Sequence, residues 1–314
     1  MAIAYLCPGQ GSQHPGMGKI LADNFPAARK VFEEVDEALG FHVSRLCFEG
    51  PAETLQLTEN TQPAILSVSI AVLRVMEAEG FPRPEYVAGH SLGEYSALVA
   101  AGALSLTDAV RTVRARGRYM QEAVPAGQGA MAAVMGAELA DIEKVCEEAS
   151  QGQVCAPANI NSANQVVIAG NTEAIDRAFE LLKEKGAKRV VKLNVSAPFH
   201  CALMMAAQVR LAADLEALSL DDLRIPLVSN VGAEVVVKAR EVRDSLVRQV
   251  SSPVRWLESV ELLIAKGVDT FVEVGPGKVL SGLMRQINRE VRSLNVEDVA
   301  SLKLTGANLG ISQG

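Results

Sequence analysis

Aromatic side chains are scarce in this chain. Phe, Tyr and Trp make up 4% of its 314 residues, with a single Trp. Modules that read nucleic acid by stacking bases need more of them, and a formal net charge of −7 also works against a phosphate backbone. No nucleic-acid partner is expected. Long apolar runs are missing too. The longest candidates, such as residues 97–104, fall far short of the roughly 20 residues that cross a bilayer, so no membrane partner is expected. No basic stretch precedes the first apolar run, and Pro8-Gly9 cuts that run short. A secretory signal is therefore not expected, and the expected compartment is the cytoplasm. The five cysteines (Cys7, Cys47, Cys146, Cys155 and Cys201) form no C-x-x-C pair and are odd in number. They read as reduced and packed. With no H-E-x-x-H and no Cys/His cluster at ligand spacing, no metal site is expected.

What is present is an aliphatic core. Hydrophobic residues reach 49%, enough for one large domain or two intimately joined ones. The most informative stretch is residues 87–98, V-A-G-H-S-L-G-E-Y-S-A-L. A short apolar run enters Gly89-His90-Ser91-Leu92-Gly93, and a helix-like segment follows until Gly102. G-x-S-x-G between a strand and a helix is a nucleophile elbow. Glycines on both sides leave room for a tight turn with Ser91 at its tip. The helix start, with the Leu92 N–H, then faces any oxyanion formed at Ser91. The first strand runs into Pro8-Gly9-Gln10-Gly11-Ser12-Gln13. A dinucleotide fingerprint would need a third Gly where His14 stands, so this loop instead suits a second oxyanion donor.

A helix is expected over residues 62–79, with Asn60 as its cap and Pro63 in its first turn. It is apolar nearly all round and so reads as central and buried. A second helix is expected over residues 106–122, opened by Ser105 with Asp108. It carries four arginines. At ~100° per residue, Arg111, Arg114 and Arg118 share one stripe and read as solvated. Arg116 falls instead beside the apolar face of Val113 and Met120. A semi-buried arginine needs an anionic partner. The partner is either a structural carboxylate or a substrate carboxylate gripped by the guanidinium fork.

Residues 127–196 keep their own rhythm of β-α-β-β-α-β, the ferredoxin-like split unit. The expected organisation is an α/β-hydrolase-like large subdomain with a parallel sheet, residues 1–126 and 197–314, interrupted by this ferredoxin-like small subdomain. Farther on, strands are expected over residues 226–230 and 270–274. Gly275-Pro276-Gly277-Lys278 opens a helix but departs from a Walker A loop at Val272 and Val279. The start of that helix remains a candidate for a diffuse phosphate site.

A serine nucleophile needs a base. The chain offers His14, His42, His90 and His200. His90 adjoins Ser91, so its ring should point away from the hydroxyl. In hydrolase-type elbows the His follows the Ser, and His200 alone does so here, in an irregular Pro-containing segment. No acidic third member is evident, so a Ser–His dyad held by a neutral group is the economical arrangement.

Together these segments resemble the malonyl-CoA:acyl-carrier-protein transacylases of fatty-acid synthesis. The resemblance rests on Pro8–Gln13, Gly89–Glu94, Arg116-Gly117, Met120-Gln121, Gly127–Met131, Ser196–His200 and Val272–Lys278, which stand in the family's order across nearly the whole chain. It implies Ser91 as the acylated nucleophile and His200 as its base. The N–H groups of Gln10 and Leu92 would form the oxyanion hole. Arg116 would bind the malonyl carboxylate, and the backbone carbonyl of Gln249 would orient His200. Phe199 before His200 is similar to the malonyl-preferring form. No bound cofactor is implied: malonyl-CoA is the substrate, CoA the product, acyl carrier protein the partner, and a monomer the expected state. Such carriers are acidic, so docking would need a local basic patch, with Lys183, Lys185, Lys188, Arg189 and Lys192 as candidates. An esterase or thioesterase with the same dyad, a non-catalytic interaction module, and a discrete transacylase of a polyketide pathway are the rival readings. An esterase has no general need of Arg116.

Overall fold

The computed structural model describes residues 1–195 and 197–311; Ser196, part of one motif above, lies outside them. Among the described residues ten strands form two sheets: β1 Ile3–Cys7, β2 Tyr86–Gly89, β3 Gly129–Met135, β4 Cys155–Ser162, β5 Gln165–Asn171, β6 Arg189–Lys192, β7 Leu227–Val228, β8 Val235–Val236, β9 Thr270–Val274 and β10 Arg292–Val296. The larger sheet has the order β10-β9-β1-β2-β7-β8. It is parallel except for β8, which returns antiparallel to β7. Central β1 is buried at every position, as a strand covered by helices on both faces must be. The smaller sheet is antiparallel, in the order β4-β5-β3-β6, and completes the βαββαβ unit with helices Leu139–Ser150 and Thr172–Glu184.

The smaller sheet is tied to the larger body along one face. Side chains alternate along β3: Ala132 and Val134 pack under its own two helices, while Met131 and Ala133 join the main core. Backbone pairing reinforces the joint, with Ile160 N–H donating to Val254 O and Val254 N–H to Ala158 O, both at 2.9 Å.

Three expectations need correction. The central helix runs Thr58–Ala78, so Asn60 lies inside it and Pro63 is its sixth residue. Asn60 Nδ2 and Thr61 Oγ1 reach back to the carbonyls of Thr54 and Leu55, so a short preceding helix, Ala52–Leu55, feeds directly into the new one. The strand expected over residues 226–230 shrinks to Leu227–Val228, because the backbone of Ser229 bonds to Glu234 and Ala233 in the turn that leads to β8, and Asn230 turns its amide to the elbow. The start of helix Val279–Ile287 is already filled by an internal anion: buried Glu273 accepts from Leu280 N–H at 3.0 Å and Ser281 N–H at 2.7 Å. It therefore offers no phosphate site.

Helix Leu106–Glu122 crosses Thr58–Ala78 closely at Gly117. A Cβ there would lie 2.6 Å from the Thr58 carbonyl oxygen. Gly282, also helical, has nothing within 4 Å of its would-be Cβ. Gly117→Ala is expected to lower the unfolding free energy by about 1–3 kcal/mol despite alanine's better helix propensity. Gly282→Ala, which gains the propensity alone, should raise stability by up to ~1 kcal/mol. Urea unfolding of both variants checks the pair.

Candidate active site

The register of the larger sheet assembles the site. Cys7 pairs with Gly89, so the loop after β1 and the elbow after β2 leave the same sheet edge side by side. Ligands gather at this carboxyl end of parallel strands. Glycines make the approach possible: a Cβ on Gly93 would stand 2.1 Å from Cys7 O, one on Gly89 2.0 Å from Gly93 C, and one on Gly9 2.4 Å from His90 O. A side chain at Gly9 or Gly93 would push the two loops apart, and one at Gly89 would collide with the start of the elbow's own helix. Neither the Gln10 nor the Leu92 N–H has a hydrogen-bond partner among the described residues, and both residues line the cavity that holds Ser91. Leu92 immediately precedes helix Gly93–Ala100, so its N–H belongs to the positive end of that helix.

Ser91 takes φ 53°, a left-handed conformation that costs a non-glycine residue roughly 1–2 kcal/mol. Its backbone is held on both sides. Ser91 N–H donates to Asn230 Oδ1 at 2.7 Å, and Ser91 O accepts from Gln249 Nε2 at 3.0 Å. Asn230 Nδ2 in turn donates to Gly89 O at 2.7 Å, so one amide spans the elbow.

Ser91 Oγ lies 2.7 Å from His200 Nε2 and accepts from Arg116 Nη2 at 3.1 Å. His200 Nδ1–H donates to the Gln249 carbonyl at 2.8 Å, which leaves the Nε2 lone pair facing the serine. Burial, and then the charge of Arg116, push the imidazole down to about 3. The ring is therefore a neutral acceptor in the resting site. His200, like Ser91, has a positive φ, 60°. His90 points the other way: Nε2 meets Asn161 Oδ1 at 2.8 Å, and the ring stands 5.4 Å from that of Trp256.

Arg116 is 1% exposed. Nη1 donates to Gln62 Oε1 at 2.8 Å and Nη2 to Gln249 Oε1 at 2.9 Å, while Nε–H has no partner among the described residues. All of these are neutral groups. A structural carboxylate, one of the two partners considered for Arg116, is not within ion-pair reach among the described residues. The acid whose field it feels is Glu94, one amide away through Gln249. A buried cation without a counter-ion, beside a serine hydroxyl, is a site prepared for an anion. Of the other three arginines, Arg111 and Arg118 are exposed, but Arg114 is half-buried over the Phe41 ring and donates to Asn60 Oδ1 at 3.2 Å. The cavity has a volume of about 570 Å³ and is walled by Met120, Met131, Leu193 and Phe199.

Gln62, Glu94 and Asn230 were not singled out from sequence as site residues. Glu94 left one trace, a lone acid in a helix whose residues 93–99 are all buried. Gln62 and Asn230 left none, since amides carry no periodic signal. On the βαββαβ unit, Lys183, Lys185 and Lys192 pair with Glu180, Glu148 and Asp176. Lys188 and Arg189 are exposed and have no ion-pair partner among the described residues.

Residues 4–308 match the acyl transferase domain family. A malonyl CoA-acyl carrier protein transacylase of Bacillus subtilis is 50% identical over 303 residues, covering 96% of this chain and 95% of that protein. The solved malonyl CoA-acyl carrier protein transacylase of Coxiella burnetii superposes with a TM-score of 0.97 at 42% identity, covering 98% of each chain. A malonyl-transacylase solved in complex with its type II PKS acyl-carrier protein superposes at 0.96 with 44% identity, covering 98% of this chain and 100% of that one. With a serine, a neutral histidine and a buried arginine converging in one cavity, and with relatives of this similarity along its whole length, the chain belongs to the acyl transferase family and is an acyltransferase.

Proposed function

We propose that this acyltransferase moves a malonyl group from malonyl-CoA to the phosphopantetheine thiol of an acyl carrier protein, by a ping-pong cycle through a malonyl ester of Ser91. The observation that carries the acyl group's identity is the buried Arg116 guanidinium. It has only neutral partners and lies 3.1 Å from the nucleophile. The relatives' names point to the same donor and acceptor. One of them is paired with a polyketide carrier, and the chemistry at Ser91 is the same for either kind of carrier.

In the first half-reaction Ser91 Oγ attacks the thioester carbonyl and His200 Nε2 takes its proton. The carbonyl oxygen becomes an oxyanion facing the N–H groups of Gln10 and Leu92. The C–S bond breaks, and the CoA sulfur leaves with the proton from His200. In the second half the carrier thiol gives its proton to His200 and attacks the ester; the Ser91 Oγ–C bond breaks, and Oγ recovers the proton. The helix Ala239–Gln249 ends at the carbonyl that holds His200 Nδ1, so its negative end steadies the imidazolium where a hydrolase triad has an acid. A malonyl carboxylate paired with Arg116 also offsets the charge that depresses His200, so the correct substrate makes its own base stronger. An esterase would gain nothing from such a cation. Lys188 and Arg189, exposed where β6 begins, are the basic pair proposed to meet an acidic carrier.

Intact mass after mixing with malonyl-CoA alone should show one added malonyl group, absent in Ser91→Ala and discharged far faster by carrier protein than by water. Discharge by water at an equal rate would mark a thioesterase instead. Arg116→Ala should slow malonyl acylation by about 100-fold or more while raising the relative rate with acetyl-CoA, because the site then no longer discriminates by charge. Equal losses for both donors would remove Arg116 from the substrate-binding role.

The depressed His200 also predicts a pH profile. The resting ring stays neutral down to about 3, so sulfonylation of Ser91 by phenylmethylsulfonyl fluoride should stay level from neutrality to about pH 5. Arg116→Gln removes one depressing charge, so its acid limb should move up toward the ordinary value of 6.5. A wild-type limb already at 6.5 would contradict the buried neutral ring. In stability terms the unfolded state binds the extra proton between 6.5 and about 3, so the contribution of His200 is complete above 6.5 and is lost as the pH falls through that window.

A further inference from the structure

Glu94 carries none of the roles in the cycle above, yet it is fully buried at the centre of the site. Burial pushes its carboxyl up to about 7. One oxygen, Oε2, accepts from Gln249 Nε2 at 2.8 Å and from Asn230 N–H at 3.2 Å. Both donors belong to residues that brace Ser91.

The side-chain amide of Gln249 has two ends of nearly the same shape and opposite hydrogen-bonding sense. Its NH₂ end donates to Glu94 Oε2 at 2.8 Å and Ser91 O at 3.0 Å, with Asn230 Oδ1 at the outer limit of reach at 3.5 Å, and its oxygen accepts from Arg116 Nη2 at 2.9 Å. Turned over, the amide would set its oxygen against those acceptor oxygens and its NH₂ against a guanidinium. Without Glu94 one acceptor is lost, and the preference weakens at the group that aims Nη2 at Ser91 Oγ. We propose that Glu94 is a positioning residue: by accepting from Gln249 Nε2 it fixes the orientation of that amide, and so holds Arg116 where it selects acyl groups that bear a carboxylate. The effect is one of acceptor geometry, so a neutral acceptor in the same place serves as well. The inference rests on the proposed role of Arg116.

The test compares Glu94→Gln, Glu94→Met and Arg116→Ala with wild type in the full-length protein. Rates of Ser91 acylation by malonyl-CoA and by acetyl-CoA are read by intact mass, and sulfonylation by phenylmethylsulfonyl fluoride reports the Ser–His pair alone. Glu94→Met should lower the malonyl-to-acetyl rate ratio at least about tenfold, the effect of leaving a buried amide donor without its acceptor, with sulfonylation held within about threefold. Glu94→Gln, which keeps an acceptor, should hold the ratio within about threefold. An unchanged ratio in Glu94→Met overturns the proposal. So does equal damage in Glu94→Gln, which would make charge the cause, or a parallel collapse of sulfonylation in a folded Glu94→Met, which would make the role merely structural. Should Glu94→Met fail to fold by circular dichroism, Gln249→Met decides. It deletes the amide but keeps the backbone carbonyl for His200, so the ratio must fall there too, and an unchanged ratio overturns the proposal. If Arg116→Ala itself leaves the ratio unchanged, the reading of Arg116 fails and this inference falls with it; a ratio that moves in Arg116→Ala but not in Glu94→Met removes this inference alone.

Discussion

The site depends on one residue at the end of one helix. Gln249 closes helix Ala239–Gln249, where the last carbonyls have no intrahelical partner. Its carbonyl accepts from His200 Nδ1, while its side chain joins Arg116, Glu94 and the carbonyl of Ser91. His200, Arg116 and the backbone of Ser91 therefore share a single anchor. Behind the histidine, where a triad would have an acid, the helix end supplies both an acceptor and a partial negative charge.

Strain is the second constraint. Among the described residues four non-glycine positions have positive φ, and two of them are Ser91 and His200. Such backbone is kept only where its surroundings over-determine it. At Ser91 they do so through Asn230 on the N–H, Gln249 on the carbonyl, and glycines that let the β1 loop press against the elbow. The arrangement is stiff before substrate arrives, as electrostatic preorganisation requires. In the proposed cycle the reacting acyl group meets the N–H groups of Gln10 and Leu92, which have no partner among the described residues, and the charge of Arg116, whose partners are all neutral.

Much of this was legible in order along the chain. The G-x-S-x-G turn, the Gly-rich loop after the first strand and the βαββαβ rhythm are local patterns, and local sterics and periodicity carry them. The isolation of Arg116 from its three neighbours follows from helical geometry alone, because its position on the wheel does not depend on what the helix packs against. Boundaries were less legible. The Thr58–Ala78 helix starts before Asn60 because side chains from its first turn bond back to the Ala52–Leu55 turn, a contact that no propensity encodes. The start of helix Val279–Ile287 read as open to anions because its occupant, Glu273, sits on the preceding strand with its carboxylate folded back over the turn.

The sequence by itself determined the chemistry on offer: a serine on a tight turn, one histidine downstream of it, one arginine turned from water, and no metal-ligand spacing. Those properties belong to single segments, and covalent geometry transmits them over a few residues. Only the tertiary structure decided which groups meet. Ser91 and Gln249 lie 158 positions apart and meet at 3.0 Å. The register of β1 against β2 sets Gln10 beside the elbow, and the packing of four helices sets Gln62, Glu94, Arg116 and Gln249 into one hydrogen-bonded chain. Buried amides take their donor and acceptor sense from such neighbours, so their part in the site becomes visible only once the chain has closed around them.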